Sequence, residues 1–142
     1  MFEKIINRTG NKFYSVNSNT VEEAQETLGI ILPKELKAFY RQVGYGFLYS
    51  KEYKFNRIMS PQSLCEFRFR KGMYSNDTDL DVYEDYERDK IIFFEISEGN
   101  YLSIGFSKGN NGEIFYGKRK IANSLSEFLI KYQEDENYLN YV

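Results

Sequence analysis

The residues of this chain best suited to chemistry lie in a few short runs, each implying a different reaction. Gly105-Phe106-Ser107-Lys108-Gly109 matches the G-x-S-x-G pattern of a nucleophile elbow, in which a strained strand-to-helix turn lifts a serine toward a histidine base. The chain contains no histidine. The run also leads into Asn110-Asn111-Gly112, residues that favour a turn into a strand, and nothing in the sequence desolvates Lys108 to make it a base. A glycine-rich hairpin is the better reading. Asp77-Thr78-Asp79-Leu80-Asp81 opens like a calcium loop, where alternating carboxylates aim oxygens at one hard cation. The glycine and glutamate such a loop needs further on are replaced by Val82 and Arg88, so the sequence implies no specific metal site and no cofactor. Cys65 is the lone thiol, without a histidine to activate it or a second cysteine to pair with, which makes it most simply a small buried residue. Carboxylates abound, but a pair becomes acid and base only where its surroundings separate the two pKa values. Nothing in these runs indicates an enzyme.

Two charged runs point to binding instead. Phe67-Arg68-Phe69-Arg70-Lys71 interleaves bases and aromatics, the kind of segment that stacks nucleobases and neutralises phosphates. It stands alone in a chain of pI near 5.3 with no nucleic-acid reader motif, so it reads as a solvated edge or as a complement to the chain's own acids. Those acids are concentrated. Asp77 to Asp89 holds seven carboxylates against Arg88, a local balance of −6 in a chain of net charge −2, which leaves +4 for the rest. A charge run is often only a solvated loop. Here the carboxylates alternate with tyrosines, and a carboxylate row steers a basic partner while tyrosines anchor it at little entropic cost. The residues expected to contact a partner are Asp81, Tyr83, Glu84, Asp85, Tyr86 and Glu87, with the loop from Gly44 to Tyr53 as the other candidate surface.

The elements that must position these residues are legible from spacing. Thr20 with Glu23 forms a capping box for a first helix that Gly29 ends. Pro33 starts a second helix, Leu36, Phe39, Tyr40 and Val43 give it one buried face, and Gly44 closes it. Phe2 to Ile6 reads as a strand or a helical turn. The stretch from Gly46 to Met59 predicts two short strands. Ser60 and Pro61 open a short helix through Leu64 and Phe67, whose tail alternates like a strand and stays ambiguous. The acidic run has no internal capping signal and reads as a surface loop. Ile91 to Ile96, Tyr101 to Phe106 and Glu113 to Tyr116 predict an antiparallel meander, and Ser124 with Glu127 caps a last helix striped by Leu125, Phe128, Leu129 and Tyr132. Helices, then strands, then a helix give an α+β fold: mainly an antiparallel sheet with N-terminal helices and a C-terminal helix packed on it. The 142 residues suit a single domain spanning 1–142. No apolar run exceeds the four residues Ile91 to Phe94, so neither a signal-peptide core nor a membrane span is expected.

The order of these features is more distinctive than any one of them. The acidic, alanine-bearing helix, Leu28-Gly29, Leu32-Pro33, Leu36 with Phe39-Tyr40, then Gly44 and Gly46 resembles the N-terminal signature of the SUKH superfamily, built around the Smi/Knr type cell-wall assembly regulator domain. The likeness continues through Arg57-Ile58, Ser60-Pro61, Leu64, Ile91 to Phe94, Gly99 to Leu102, Gly112 to Ile114 and Phe128-Leu129, and so covers nearly the whole chain. The resemblance implies a cytoplasmic immunity protein of the bacterial branch, one that binds and neutralises a polymorphic toxin domain such as a nuclease without catalysis of its own. Its expected partner is a cognate toxin protein, with no direct nucleic acid or membrane contact. A regulatory adaptor binding some other protein is the alternative, and sequence does not separate the two. The toxin's identity and the oligomeric state stay open.

Overall fold

Strands form where β-branched and aromatic residues gather between glycine and asparagine turns, and they pair in chain order. In the computed structural model, which describes residues 1–140 and 142, β1 (Lys12–Tyr14), β2 (Tyr45–Phe47), β3 (Asn56–Ile58), β4 (Lys90–Ile96), β5 (Asn100–Gly105), β6 (Ile114–Tyr116) and β7 (Arg119–Ala122) make one sheet in the order β1-β2-β3-β4-β5-β6-β7. Every neighbouring pair is antiparallel, as expected of a meander, and the fold is α+β. β1 and β7 add to the expected strands. Both are short, and the polarity of an edge strand shows in β7, whose Arg119 and Lys120 are exposed. β1 and β2 approach closely enough that a Cβ on Gly46 would lie 2.1 Å from the Lys12 carbonyl oxygen, so only glycine fits there.

The helices are α1 (Glu3–Ile6), α2 (Ser18–Leu28), α3 (Lys34–Gln42), α4 (Pro61–Arg68) and α5 (Leu125–Glu134). Gly29 caps α2 in the left-handed conformation, and Ser60 and Ser124 cap α4 and α5 through their hydroxyls, all as the sequence predicts. Three boundaries differ. Asn17, not Thr20, caps α2, its side chain accepting from the Asn19 N–H, because an asparagine immediately before the first turn competes for the same free donors. Pro33 is the extended residue before α3 and not its first helical one. Phe69 ends α4, so the alternating tail is the last helical turn followed by Arg70 at φ 52°, not a strand.

Residues directly opposite each other in the ladder share a face, which divides the sheet cleanly. One face carries Phe13, Ile58, Phe94 and Leu102. Helices α3 and α5 close it: Phe39 meets Phe13 edge-on at 5.7 Å, Phe128 meets Phe94 at 5.3 Å, and the buried Tyr132 hydroxyl donates to Asn56 Oδ1 at 2.9 Å. The fully buried rings of Phe39, Phe94 and Phe128 each stabilise the fold by about 1.5–3 kcal/mol relative to exposure. The other face carries Tyr14, Tyr45, Phe47, Arg57, Glu95 and Tyr101. Part of it is covered by the segment that leaves α4.

Candidate interaction surface

The segment after α4 runs through 3-10 turns at Gly72–Tyr74, Thr78–Tyr83 and Tyr86–Arg88 before entering β4. The acidic run is therefore not the plain loop expected. Asp77 caps its own turn by accepting from the Asp79 N–H at 3.0 Å, a local signal too short to distinguish from loop chemistry in sequence. Leu80 is buried and pins the turn to the core.

The basic run beside it is the clamp. Arg70 donates to both carboxylate oxygens of Glu87, at 2.6 and 3.3 Å, and to the carbonyls of Phe67 and Leu80 at 2.5 and 3.3 Å, with its guanidinium 4.7 Å from the Phe67 ring centre. Arg68 donates to the Glu87 and Lys90 carbonyls at 2.6 and 3.1 Å. A planar fork serving a carboxylate and carbonyls at once is what arginine does and lysine does not. The basic run thus complements the chain's own acids, one of the two readings its composition allowed.

Beneath the segment lies an aromatic and ionic layer. Phe67 packs on Tyr74, Tyr83 and Tyr101 at 5.0, 5.9 and 4.8 Å. Arg57 pairs with the buried Glu95 at 3.1 Å and donates to the Tyr74 hydroxyl at 2.8 Å. Burial works against the Arg57 charge, but the Tyr74 hydrogen bond and the Glu95 charge outweigh it and hold its pKa above the ordinary value. Burial raises the pKa of Tyr74, Tyr83 and Tyr101 above the ordinary value, most of all at Tyr101, which favours the neutral phenols.

The six expected contact residues are brought onto one segment but not into one role. Asp81, Glu84 and Asp85 are exposed. Tyr83 is half-buried, its hydroxyl accepting from the Tyr101 N–H at 3.2 Å, and Tyr86 leans on it at 6.4 Å. The Glu87 carboxylate is taken up by Arg70. Among the described residues, Asp77, Asp79, Asp81, Glu84 and Asp85 enter no ion pair. Among the same residues no group of three histidine, cysteine, aspartate or glutamate side chains is placed to hold a metal.

The remaining chemical runs fall into structural roles. Gly105 ends β5, and Asn110 folds the Ser107 turn back by accepting from the Ser107 N–H at 3.0 Å, so the serine sits in a hairpin. Cys65 is half-exposed on the groove between α2 and α4, not buried as expected, because it lies on the flank of α4 whose inner face belongs to Leu64 and Phe67. Burial and the neighbouring Glu66 raise its pKa, which keeps it a thiol. No helix among the described residues is long and apolar enough to cross a membrane.

A sheet wound as a meander, closed by helices on one face and partly covered by a clamped acidic segment on the other, defines an α+β protein with an open, charged surface suited to contact. The chain belongs to the SMI1 / KNR4 family (SUKH-1), whose model matches residues 15–131. It is 42% identical over 128 residues to the "Immunity protein YxxD" of Bacillus subtilis (strain 168), an alignment covering 90% of this chain and 87% of that protein. The family expected from the order of motifs is therefore the family found. No solved structure matches the chain.

Proposed function

We propose that this chain is an immunity protein that acts in the cytoplasm, where it binds a polymorphic toxin domain such as a nuclease and blocks it without catalysis. The observation that carries this reading is the 42% identity, over 90% of the chain, to a protein named for immunity. The acidic segment supports a mechanism. Asp81, Glu84 and Asp85 are exposed and enter no ion pair among the described residues, on a backbone held by Arg70 and Arg68. A fixed row of carboxylates presents a phosphate-like field to the basic cleft of a nuclease and speeds encounter by steering. Tyr83, Tyr86 and Glu87 then serve chiefly to shape that row from behind, with the Tyr86 edge available at its rim.

Co-expression with the product of the neighbouring gene tests the reading. Survival of cells that otherwise die, together with copurification of the two proteins in equal amounts, is the expected result. Death despite good expression of this chain, or no complex, overturns it and leaves the regulatory adaptor. The charge mechanism has its own test: the Glu84→Lys, Asp85→Lys double variant is expected to lower the association rate at least tenfold at low salt. An unchanged rate rejects steering while leaving the immunity role intact.

A further inference from the structure

The half of the sheet face that the acidic segment leaves uncovered is aromatic. The register places Tyr14 opposite Tyr45, and Phe47 opposite both Lys12 and Arg57, all on that face. Tyr14 meets Tyr45 at 5.6 Å and Phe47 meets Phe55 at 5.3 Å. Part of this group stands open: Tyr14 is 50% and Phe55 41% exposed, while Tyr45 and Phe47 are half-buried. The strip is continuous with the covered half, since the Arg57 guanidinium lies 5.9 Å from the Phe55 ring centre and bonds Tyr74 on its other side.

The loop between β2 and β3 adds a residue displayed at a cost. Tyr53 is 95% exposed and holds φ 60°, a left-handed conformation that an aromatic side chain rarely adopts. The loop is not slack. Glu136, from the 3-10 turn after α5, accepts from the Ser50 hydroxyl at 2.7 Å and the Lys51 N–H at 2.5 Å, and Ser50 Oγ in turn accepts from the Lys54 N–H at 2.9 Å. Strain kept in place by surrounding contacts, on a solvent-facing ring, is the pattern of a presented contact and not of a core. Fixing the ring beforehand lowers the ordering cost of binding.

Charge decides what the strip receives. Toward β4 it runs into Tyr74, which borders a groove lined by Asp77, Asp81 and the Glu87-paired Arg70. On the same flank, where β4 borders β3, the Ser97 N–H donates to the Phe55 carbonyl at 2.7 Å and sets the exposed Glu98 beside the strip. Lys12 and the Glu95-paired Arg57 are the cations that the register places on the strip itself, and the loop adds the exposed Lys51 and the Glu52-paired Lys54. The acids lie along the β4 flank of the strip, continuous with the acidic segment, and complement a partner that carries cations there.

We propose that this uncovered aromatic strip, with Tyr53 presented by the Glu136-held loop, is the apolar half of the toxin-contact surface. Its occupant is a basic protein domain that lays an apolar side chain against Phe47 and Phe55 while its cations meet the acidic segment. The inference rests on the immunity reading and assigns the two halves different work, the carboxylates setting the rate of arrival and the aromatics the lifetime of the complex.

The probe is the product of the neighbouring gene, purified in a form without toxic activity and immobilised for binding kinetics against the full-length chain. Tyr53→Gly and Phe55→Ser are each expected to raise the dissociation rate about tenfold or more while leaving the association rate within about twofold. Glu136→Gln is expected to give a smaller rise in the same rate, since it acts by positioning the loop. Tyr53→Gly removes the left-handed strain, so its melting temperature should equal or exceed that of the wild type, which separates lost contact from lost fold. If the wild type binds and both aromatic variants dissociate like it, the strip is not part of the surface. If sedimentation instead shows a wild-type dimer that Phe55→Ser converts to a monomer with toxin binding intact, a second copy occupies the strip and the proposal fails. No binding by the wild type would refute the immunity reading itself.

Discussion

Both faces of the sheet carry clusters of aromatic rings and do opposite things with them. On the face closed by α5, Phe94, Phe128 and Tyr132 pack ring against ring, and the Tyr132 hydroxyl has a partner inside the core. On the other, the rings of Phe67, Tyr74, Tyr83 and Tyr101 surround an ion pair, and beyond them the half-buried Phe47 and the exposed Phe55 reach solvent. A dry face has one job, since its rings gain most when fully buried. A face holding Arg57, Glu95 and exposed rings trades some of that gain for polarity and access, which a contact surface needs.

The largest effect should come from the closed face. Phe94→Ala removes a fully buried ring and is expected to cost about 3–5 kcal/mol, read from the midpoint of urea unfolding. A cost below about 1 kcal/mol would erase the distinction between the faces. Next comes the ion pair. Arg57→Ala leaves Glu95 buried without its cation and should cost about 3 kcal/mol, whereas the Arg57→Met, Glu95→Leu double variant should be near neutral. If the double variant is as unstable as the single one, the pair is stabilising in itself and the open face gives up no stability there. Arg70→Ala should cost about 1–2 kcal/mol, with faster amide exchange confined to Thr78–Arg88, because it frees Glu87 and the Leu80 carbonyl together. Exchange spreading into β4 would mean that the clamp supports the sheet and not just the segment.

Alkaline pH probes both faces at once. Tyr74 and Tyr101 on one face and Tyr132 on the other have pKa values raised by burial above the ordinary 10.0. Unfolded tyrosines lose their protons near that value while the folded ones keep them, so the unfolded state binds fewer protons and stability falls as pH rises past about 10. Tyr101→Phe and Tyr132→Phe should each flatten that fall, measured as melting temperature against pH. The smallest effect on stability belongs to the acidic rim, where Glu84→Lys with Asp85→Lys should shift stability by no more than about 0.5 kcal/mol. A larger loss would show that these carboxylates hold the segment together.

Helix ends are readable because capping depends on neighbours: Gly29, Ser60 and Ser124 act where their spacing says they must. The same locality explains the errors. Asn17 and Thr20 are both competent caps, and which one wins depends on how α2 leaves β1. β1 and β7 are three and four residues long, too short for periodicity to register, and only pairing with β2 and β6 makes them strands. For the candidate surface, the acidic run is visible as charge, but sequence treats its six residues alike. That Glu87 is held by Arg70, Tyr83 by Tyr101, and Asp81, Glu84 and Asp85 by no ion pair among the described residues is a matter of distance in space.

By itself, then, the sequence determined the alternation of helix and strand, the apolar stripes, the absence of histidine chemistry and the order of motifs that marks the family. These follow from residue type and near-neighbour spacing. Only the tertiary structure decided which aromatic residues are core and which are surface. Phe67 and Phe69 each stand between charged neighbours in one short run, yet Phe67 is fully buried and Phe69 is 46% exposed, because only Phe67 lies on the side of α4 that meets Tyr101 of the sheet.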